Sequence, residues 1–337
     1  MRITIKDIAK SLGLSAAAVS KALNDKEDIS SEIKEKVKKK AKEMNYQKNE
    51  TAARLVSNKS YTIGVFLFAR DKIKMEESSA FKFIEVYLNK VKSLGYDVLL
   101  FSIDDDDDIN NSVLKLCLER NVEGVIIIGA NKNQKSIAEI IDYPIPTIFV
   151  EANITGNLTT NISFNDVSGI EKSITHLVSN GHKKIAFIRG DLRTDVTRTR
   201  FLTYVNLISQ ISEYNDEFVF QGDFSLESGY DVAEKIYSMS QRPTAVVSSG
   251  DLMAIGLIKG LKNKGIKVPE DISVVGYDGF EIGKYMEPSL TTVKQDFLKM
   301  AGRTVEILFE MINNKTLVNA EVLEVELVER KSVEQFK

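Results

Sequence analysis

Apolar and polar residues along the 337-residue chain follow two different periods. In residues 1–60, apolar side chains recur every three or four positions, which is the spacing of amphipathic helices. From residue 61 onward, short apolar runs such as "TIGVFLF", "GVIIIG" and "ISVVGYD" alternate with stretches of helical spacing such as 165–180 and 252–264. Such alternation is typical of parallel sheets with helices on both faces. The pattern therefore predicts an all-α head followed by an α/β body.

Three short helices are predicted in the head. Thr4 and Asp7 have the spacing of a capping box at the start of the first helix, and Gly13 can end that helix in the left-handed conformation. Ser15 and Ser30 are placed to cap the second and third helices. Two helices joined by a tight glycine turn form a helix-turn-helix, and an ordinary helical hairpin is the alternative.

Charge is divided unevenly between the head and the body. Residues 1–60 carry 14 Lys/Arg and 8 Asp/Glu, a net charge of +6, whereas the rest of the chain carries 31 and 40, a net charge of −9. A basic head on an acidic body is expected to bind a polyanion. The alternative is that the lysine-rich stretch 34–42 is only a solvated helical face.

Several classes of protein are excluded by composition. Cys117 is the only cysteine, so the chain has no disulfide framework. The longest apolar runs are far shorter than the roughly 20 residues of a membrane span, and the amino terminus lacks the apolar region of a signal peptide. We therefore expect a soluble cytoplasmic protein with no membrane partner.

Motifs along nearly the whole chain resemble one known family. The segment "TIKDIAKSLGLSAAAVSKALN", with "NYQKN" further on, resembles the DNA-binding head of the lactose/galactose repressor (LacI/GalR) family of transcriptional regulators. The segments "HLVSNGHKKIAFIRG", "GDLMAIGLIKGLKNKGIKVPEDISVVGYD" and "PSLTTVKQDF" resemble the core of that family, which is similar to periplasmic sugar-binding proteins. The resemblance implies an all-α helix-turn-helix head plus an α/β periplasmic-binding-protein-like (type I) core of two doubly wound subdomains around a cleft.

The resemblance also implies a division of the chain into domains. The helix-turn-helix domain is expected at 1–48, a hinge helix and linker at 49–60, and the ligand-binding and dimerisation core at 61–337. Within the core, the resemblance assigns about 61–161 and 292–322 to an N-subdomain and about 162–291 and 323–337 to a C-subdomain.

The second helix of the head enters the major groove in this family. By position, Ala16, Ala17 and Lys21 face the bases, where lysine can donate to guanine and alanine can contact the thymine methyl group. The alternative is that the two alanines only permit close approach.

In "ETAARLVSN", Leu55 matches a hinge-helix leucine that is wedged between base pairs, with a plain linker as the alternative. The expected DNA-binding residues are Thr4, Ile5, Ser15, Ala16, Ala17, Ser20, Lys21, Asn24, Ser30, Tyr46, Asn49, Ala52 and Leu55, of which Thr4, Ser15, Ser20, Ser30 and Tyr46 are expected to position phosphates.

The resemblance places an effector site in the core. Carboxylates and a guanidinium can bind sugar hydroxyls, and aromatic rings pack on the C–H face of a sugar. For four of these residues a structural role is the alternative: core aromatics for the phenylalanines, a cap for the aspartate and a surface ion pair for the arginine. Gly250 stands where many members of the family have asparagine, and the weakly matching loop 69–81 makes Phe81 only a minor candidate. The expected effector-binding residues are Glu151, Arg198, Phe224, Asp278 and Phe297.

No enzyme, cofactor or metal site is expected. Gln134 interrupts a stretch that otherwise resembles a phosphate-binding loop, and the run Asp104–Asp108 is interpreted as a solvated turn with a cation site as the alternative. The predicted function is a sequence-specific transcriptional regulator, most simply a repressor, whose operator affinity is controlled by a small-molecule effector, expected to be a sugar or sugar derivative.

The expected partners are a pseudo-palindromic double-stranded operator, the effector and a second copy of the chain in a homodimer. A tetramer, and the choice between induction and corepression, are left open. Three rival functions also remain: an enzyme with a basic appendage, a transport-type solute-binding protein, and a regulator that responds to a phosphorylated partner protein.

Overall fold

The computed structural model describes residues 3–26, 28–46, 59–69, 80–104, 112–211 and 214–336. The chain divides into two compact units, Met1–Ser60 and Tyr61–Lys337. Several residues singled out from the sequence lie outside the described residues: Asn49, Ala52, Leu55, most of the acidic run at 105–108 and the side chain of Phe81.

The described residues of the first unit form three helices, and each begins after the capping residue that the sequence predicts. Thr4 and Asp7 form a complete capping box, and Gly13 ends the first helix with a φ of 66°. The Ser15 hydroxyl accepts from the Ala18 N–H, 3.1 Å between N and O. The helices are α1 (Ile5–Leu12), α2 (Ala16–Leu23) and α3 (Ser31–Glu43).

The core of the first unit is small and tightly packed. Ile8, Val19, Ala22 and Val37 are fully buried, and they come from all three helices. Ala9 on α1 is buried as well, so the α1–α2 crossing excludes larger side chains there. The helix-turn-helix is thus held by a few apolar contacts and by its caps.

In the part of the chain that the structure describes, the second unit contains two six-stranded sheets. The first sheet has the order β11-β5-β4-β3-β1-β2 and is parallel throughout, whereas the second has the order β12-β10-β9-β8-β6-β7 and is parallel except for β12. The strands are β1 (Thr62–Ala69), β2 (Asp97–Asp104), β3 (Gly124–Ile128), β4 (Thr147–Val150), β5 (Thr159–Phe164), β6 (Ile185–Arg189), β7 (Val219–Gln221), β8 (Ala245–Ser248), β9 (Ser273–Asp278), β10 (Thr291–Lys294), β11 (Glu321–Leu323) and β12 (Glu326–Val328).

Helices connect these strands and cover the sheets. In the second sheet's layer, Gly229 and Gly256 let two helices approach closely, since a Cβ on Gly256 would lie 1.9 Å from the Leu226 carbonyl oxygen. None of the described helices is both long and apolar enough to cross a bilayer. The helices are α4 (Ala80–Ser93), α5 (Val113–Glu119), α6 (Ala138–Ile141), α7 (Asp166–Ser179), α8 (Asp195–Ile211), α9 (Leu226–Tyr237), α10 (Asp251–Asn263) and α11 (Phe297–Asn314).

The chain crosses between the sheets three times, a few residues later than the sequence predicts. Strand β5 belongs wholly to the first sheet and β10 wholly to the second, so the expected boundaries at 162 and 292 fall inside strands. The third crossing lies between β11 and β12 rather than before Leu323. A strand pairs along its whole length with one sheet, and the crossings therefore fall in the loops that follow.

Candidate functional site

Helix α2 exposes the side chains that the sequence assigns to base contact. Ala16, Ala17 and Lys21 are all exposed, while Val19 and Ala22 on the same helix are buried in the core of the first unit. The outer face of α2 therefore combines small side chains, which allow close approach of the helix backbone, with one long cation.

Lys21 already has an ion-pair partner on this face. Its ammonium group donates to the carboxylate of Asp28, and both side chains are about half exposed, 52% and 56%. The hydrogen bond from Lys21 lowers the pKa of Asp28. To contact a base, Lys21 must leave Asp28, which is a small cost because exposed ion pairs contribute little.

The hydroxyl groups expected to position phosphates differ in what they already bind. The Thr4 hydroxyl donates to Asp7 Oδ2 at 2.7 Å, so its proton is used within the capping box. The hydroxyl oxygens of Ser15 and Ser30 accept from helix N–H groups, and an accepting hydroxyl still carries a proton that it can donate to a phosphate. The structure therefore favours the two serines over Thr4 as hydroxyl donors.

The remaining expected DNA contacts in the described residues have clear local roles. Ile5 is half-buried and packs against the core of the first unit. The Asn24 amide donates to the Ser20 carbonyl oxygen at 2.9 Å at the end of α2. The backbone N–H of Tyr46 donates to the Ala41 carbonyl oxygen at 2.8 Å.

In the second unit, ionisable side chains gather where strands of both sheets end. Glu151 follows β4, Asp166 follows β5 as the first residue of α7, and Asp278 is the last residue of β9. Arg200, from α8, interacts electrostatically with all three. The carboxyl ends of parallel strands are where α/β folds bind ligands. We define these four residues as the charged cluster.

Arg200 is the centre of the charged cluster and is 3% exposed. Its Nε donates to Asp166 Oδ1 at 2.8 Å, and its Nη1 donates to the Ser249 carbonyl oxygen at 2.7 Å. Its guanidinium carbon lies 3.6 Å from the centroid of the Tyr277 ring, and the Tyr277 hydroxyl donates to Asp166 Oδ1 at 2.9 Å. Arg200 is therefore held in one orientation by hydrogen bonds and by stacking.

Gln295 extends this network to Asp278. With its amide oriented to satisfy both neighbours, its oxygen accepts from Arg200 Nη2 at 3.1 Å and its nitrogen donates to Asp278 Oδ1 at 3.3 Å. The Asp278 carboxylate is thereby linked to Arg200 through one side chain.

Glu151 lies across from these groups at the end of the first sheet. Its Oε1 accepts from the Phe164 N–H at 2.9 Å. Burial and, to a smaller extent, the carboxylate of Asp166 raise the pKa of Glu151 to about 8, although Arg200 opposes both. At neutral pH, Glu151 is therefore mainly a neutral carboxylic acid that can donate as well as accept a hydrogen bond.

Asp251 supports the segment that carries Asp278. Its side chain accepts from the Thr292 hydroxyl and from the Phe280 N–H, each at 2.6 Å, while its own N–H donates to Asp278 Oδ2 at 3.3 Å. Burial raises the pKa of Asp251 to about 6 against these hydrogen bonds. Asp251 therefore holds both the Asp278 side chain and the backbone that follows it.

Three of the expected effector residues have strained backbones. The φ angles of Glu151, Phe224 and Asp278 are 62°, 68° and 115°, in the left-handed region that non-glycine residues seldom adopt. Such conformations concentrate at functional sites, where the surrounding structure enforces them. The strain supports a binding role for these strand ends.

Phe224 and Asp278 flank a common point at Gly250. A Cβ on Gly250 would lie 3.1 Å from Phe224 Cδ1 and 3.4 Å from Asp278 Oδ2. The absence of a side chain at residue 250 therefore leaves room between the ring and the carboxylate.

The structure corrects the expectation for Phe297. This side chain is only 7% exposed and packs edge-on against Phe83 and Phe164, with centroids 5.5 Å and 5.7 Å away. Its ring is part of the hydrophobic core at the start of α11, the structural alternative that the sequence left open.

The structure also corrects the expected arginine. Arg198 pairs with Asp195 one turn earlier on α8, and it is Arg200 that joins the charged cluster. Residues two apart on a helix point about 200° apart, so only one of the two can face the strand ends. The sequence analysis missed Arg200, Asp166 and Asp251. A signal for Arg200 existed, because the buried residues Tyr204 and Ile208 follow it at helical spacing.

Among the described residues, no group of three His, Cys, Asp or Glu side chains is arranged to hold a metal ion.

Comparison with known proteins identifies two family profiles in the chain. The one described as bacterial regulatory proteins, lacI family, matches residues 4–49. The one described as a periplasmic binding protein-like domain matches residues 174–333. The first range contains the helix-turn-helix, and the second contains all six strands of the second sheet.

Relatives are similar along nearly their whole length. The HTH-type transcriptional repressor PurR of Serratia proteamaculans is 30% identical over 335 residues, which are 98% of this chain and 96% of the relative. The HTH-type transcriptional repressor PurR of Mannheimia succiniciproducens is 29% identical over 338 residues, 99% of each chain.

Solved structures share the fold. A Lac repressor dimer bound to operator and the anti-inducer ONPF superimposes with a TM-score of 0.87 at 27% identity, covering 99% of this chain and 100% of that one. The transcriptional regulator CelR in complex with cellobiose has the same fold, with a TM-score of 0.71 at 23% identity and coverage of 98% and 100%.

Proposed function

The chain belongs to the LacI family of bacterial regulatory proteins, and from that premise we propose that it represses transcription from a pseudo-palindromic operator under the control of a small molecule bound at the charged cluster. Its relatives are transcriptional repressors, and the chain is not an enzyme. Its place of action is the cytoplasm, where the operator is.

One observation carries the proposal. The chain joins a helix-turn-helix with an exposed face on α2 to an α/β unit whose strand ends hold Arg200 at 3% exposure among three carboxyl groups. An isolated buried charge is costly, and a protein retains such a cluster at a ligand site more readily than in a plain core.

On the DNA side, α2 is the element that enters the major groove. Lys21 contacts a base edge after leaving Asp28, and Ala16 and Ala17 allow the helix to approach. Leu55, in the segment outside the described residues, enters the minor groove beside its counterpart from a second copy. The functional unit is a homodimer, because two heads are needed for two half-sites.

On the effector side, Glu151, Asp278 and Phe224 bind a sugar or sugar derivative. The carboxyl groups accept from hydroxyls, and the Phe224 ring packs on the sugar's C–H face. Arg200 orders this site rather than contacting the ligand through an unengaged nitrogen. A ligand that binds one arrangement of the two sheets more tightly shifts the dimer toward that arrangement, and so changes the fraction of dimer that is bound to DNA.

The test is operator binding by the purified full-length protein. We expect fluorescence anisotropy to show tighter binding to a palindromic site upstream of the regulated genes than to a scrambled duplex, and one ligand of a sugar and nucleobase panel to change that affinity. No preference for any duplex, with or without ligands, would refute the proposal. Turnover of the ligand would support an enzyme with a basic appendage instead. A response only to a phosphorylated protein would support a regulator controlled by a partner protein.

A further inference from the structure

We propose that Asp166 makes this site selective for an uncharged, hydroxyl-bearing effector and against phosphorylated or carboxylated ones. The inference rests on the proposed function, because it concerns the ligand of the same site. It names a specificity-determining residue that the sequence analysis did not identify.

The guanidinium group of Arg200 is largely occupied by protein acceptors. Each of its three guanidinium nitrogens already has an acceptor: Asp166 Oδ1 at 2.8 Å, the Ser249 carbonyl oxygen at 2.7 Å and, through Nη2, the amide oxygen of Gln295 at 3.1 Å. The Tyr277 ring covers one face of the guanidinium at 3.6 Å. A phosphate or carboxylate binds arginine best through two parallel N–H donors, but three of the five N–H donors of Arg200 are engaged, one on each nitrogen, which leaves at most two for a ligand.

The charged cluster carries an excess of negative charge. Asp166 neutralises Arg200, and Asp278 remains as a second carboxylate in the same network. Glu151 adds a third carboxyl group, whose pKa is raised first by burial and then by the carboxylate of Asp166, so that it is mainly neutral. Two other arginines are also engaged, since Arg198 pairs with Asp195 and Arg189, the last residue of β6, donates to Gln221. Within the charged cluster itself, an incoming anion would meet excess negative charge, whereas hydroxyl groups would meet acceptors.

The Asp166 side chain is held rigidly in place. Asp166 is 7% exposed and holds both Arg200 Nε and the Tyr277 hydroxyl on one oxygen. Gly169, one turn along α7, lies so close to Tyr277 that a Cβ there would be 2.2 Å from the hydroxyl oxygen. This packing holds the start of α7 against Tyr277, so an anionic ligand cannot displace Asp166 without disturbing a packed helix.

The test is Asp166→Asn, with Glu171→Gln as the matched control. Asparagine keeps an oxygen that can accept from Arg200 and Tyr277 but removes the charge. Glu171 is exposed on the same helix, so its variant loses the same charge away from the site. The probes are uncharged sugars, each paired with its 6-phosphate and its uronic acid, and nucleobases paired with their nucleotides, with affinity measured by calorimetry and by operator release.

We expect the wild-type protein and Glu171→Gln to bind an uncharged probe at least about tenfold more tightly than its anionic partner, and Asp166→Asn to reduce that ratio about tenfold. Tighter binding of an anionic probe by the wild type would overturn the inference while leaving the proposed function intact. An unchanged ratio in Asp166→Asn would overturn the role of Asp166. If no probe of either charge altered operator binding, the proposed function would fail and this inference with it. Asp166→Ser, which removes the same charge with a shorter polar side chain, gives the same comparison if circular dichroism shows that Asp166→Asn does not fold.

Discussion

The backbone N–H of Asn153 donates to the Asp195 carboxylate at 3.0 Å, and this hydrogen bond joins the loop after β4 to the start of α8. The two residues belong to the layers of different sheets. The bond therefore lies between the two halves of the second unit, close to the strand ends that carry the charged cluster. A ligand that contacts both sheets is expected to favour the arrangement in which this bond is made.

The first prediction is that Asp195→Ala weakens effector binding about fivefold, since one such hydrogen bond contributes about 1 kcal/mol to the joined arrangement. Calorimetry with the effector measures the change. Operator affinity without effector is read in parallel to detect a shift between arrangements.

Arg198→Ala is the matched control for this prediction. It removes the ion-pair partner of Asp195 but leaves the carboxylate that accepts from Asn153. Equal losses in both variants would show that the Arg198 pair, not the bond to Asn153, supports effector binding.

The second prediction concerns base recognition by Lys21. Lys21→Ala should relax the sequence preference at one position of each half-site, with a loss of about 1–3 kcal/mol for the preferred base. Binding to a set of operators with single substitutions measures the preference. Asp28→Asn, which removes the partner of Lys21, should instead strengthen binding and keep the preference.

Lys39→Ala is the control that distinguishes the loss of one positive charge from the loss of a base contact. Lys39 is exposed on α3, so its loss removes the same charge from the head. We expect it to weaken binding to all duplexes alike. A Lys21→Ala protein that behaves in the same uniform way would contradict a role in base recognition.

The third prediction concerns Leu55, which lies outside the described residues. Leu55→Ala should abolish most of the preference for the operator and retain most of the binding to a scrambled duplex, because an intercalating side chain acts only on a kinked site. Val56→Ala, next to it, should change the preference less. Equal losses on the two duplexes would argue against intercalation.

Much of the fold is predictable because it depends on local patterns. The caps Thr4, Ser15 and Ser30 and the turn at Gly13 are recognisable from residue type and spacing, and all four lie where the sequence predicts. Alternation of apolar runs likewise predicts parallel sheets. The crossings between sheets lie a few residues beyond the approximate bounds that the resemblance implies, because similarity of motifs does not fix where each strand ends.

The site was less predictable, because its chemistry depends on pairs that are distant in sequence. Arg200 and Asp166 are 34 residues apart, and Tyr277 is 111 residues from Asp166. Similarity to the family motif pointed to Arg198 as the effector-binding arginine. The buried Tyr204, four residues after Arg200, shows instead that Arg200 lies on the buried face of the helix. Phe297 follows a recognisable motif but faces the core, since the direction of a side chain depends on the start of α11.

The fourth prediction concerns the pH dependence of stability at Glu151. The pKa is raised from 4.5 to about 8 in the folded protein, first by burial and then by Asp166. Between those two values the folded state binds more protons than the unfolded state, so the contribution of Glu151 to stability is complete below about pH 4.5 and is lost as the pH rises through about 8.

Glu151→Gln keeps an oxygen that can accept from the Phe164 N–H, but it cannot ionise. We therefore expect it to match the wild type at about pH 4 and to be more stable at about pH 8.5, by a few kcal/mol at most, since one pKa unit corresponds to about 1.4 kcal/mol. Chemical denaturation at both pH values measures the difference. Asp251 also titrates in this range, but it is present in both proteins and cancels. The exposed Glu171→Gln variant should show the wild-type dependence, and a Glu151→Gln curve parallel to the wild type would mean that Glu151 is already ionised in the folded protein.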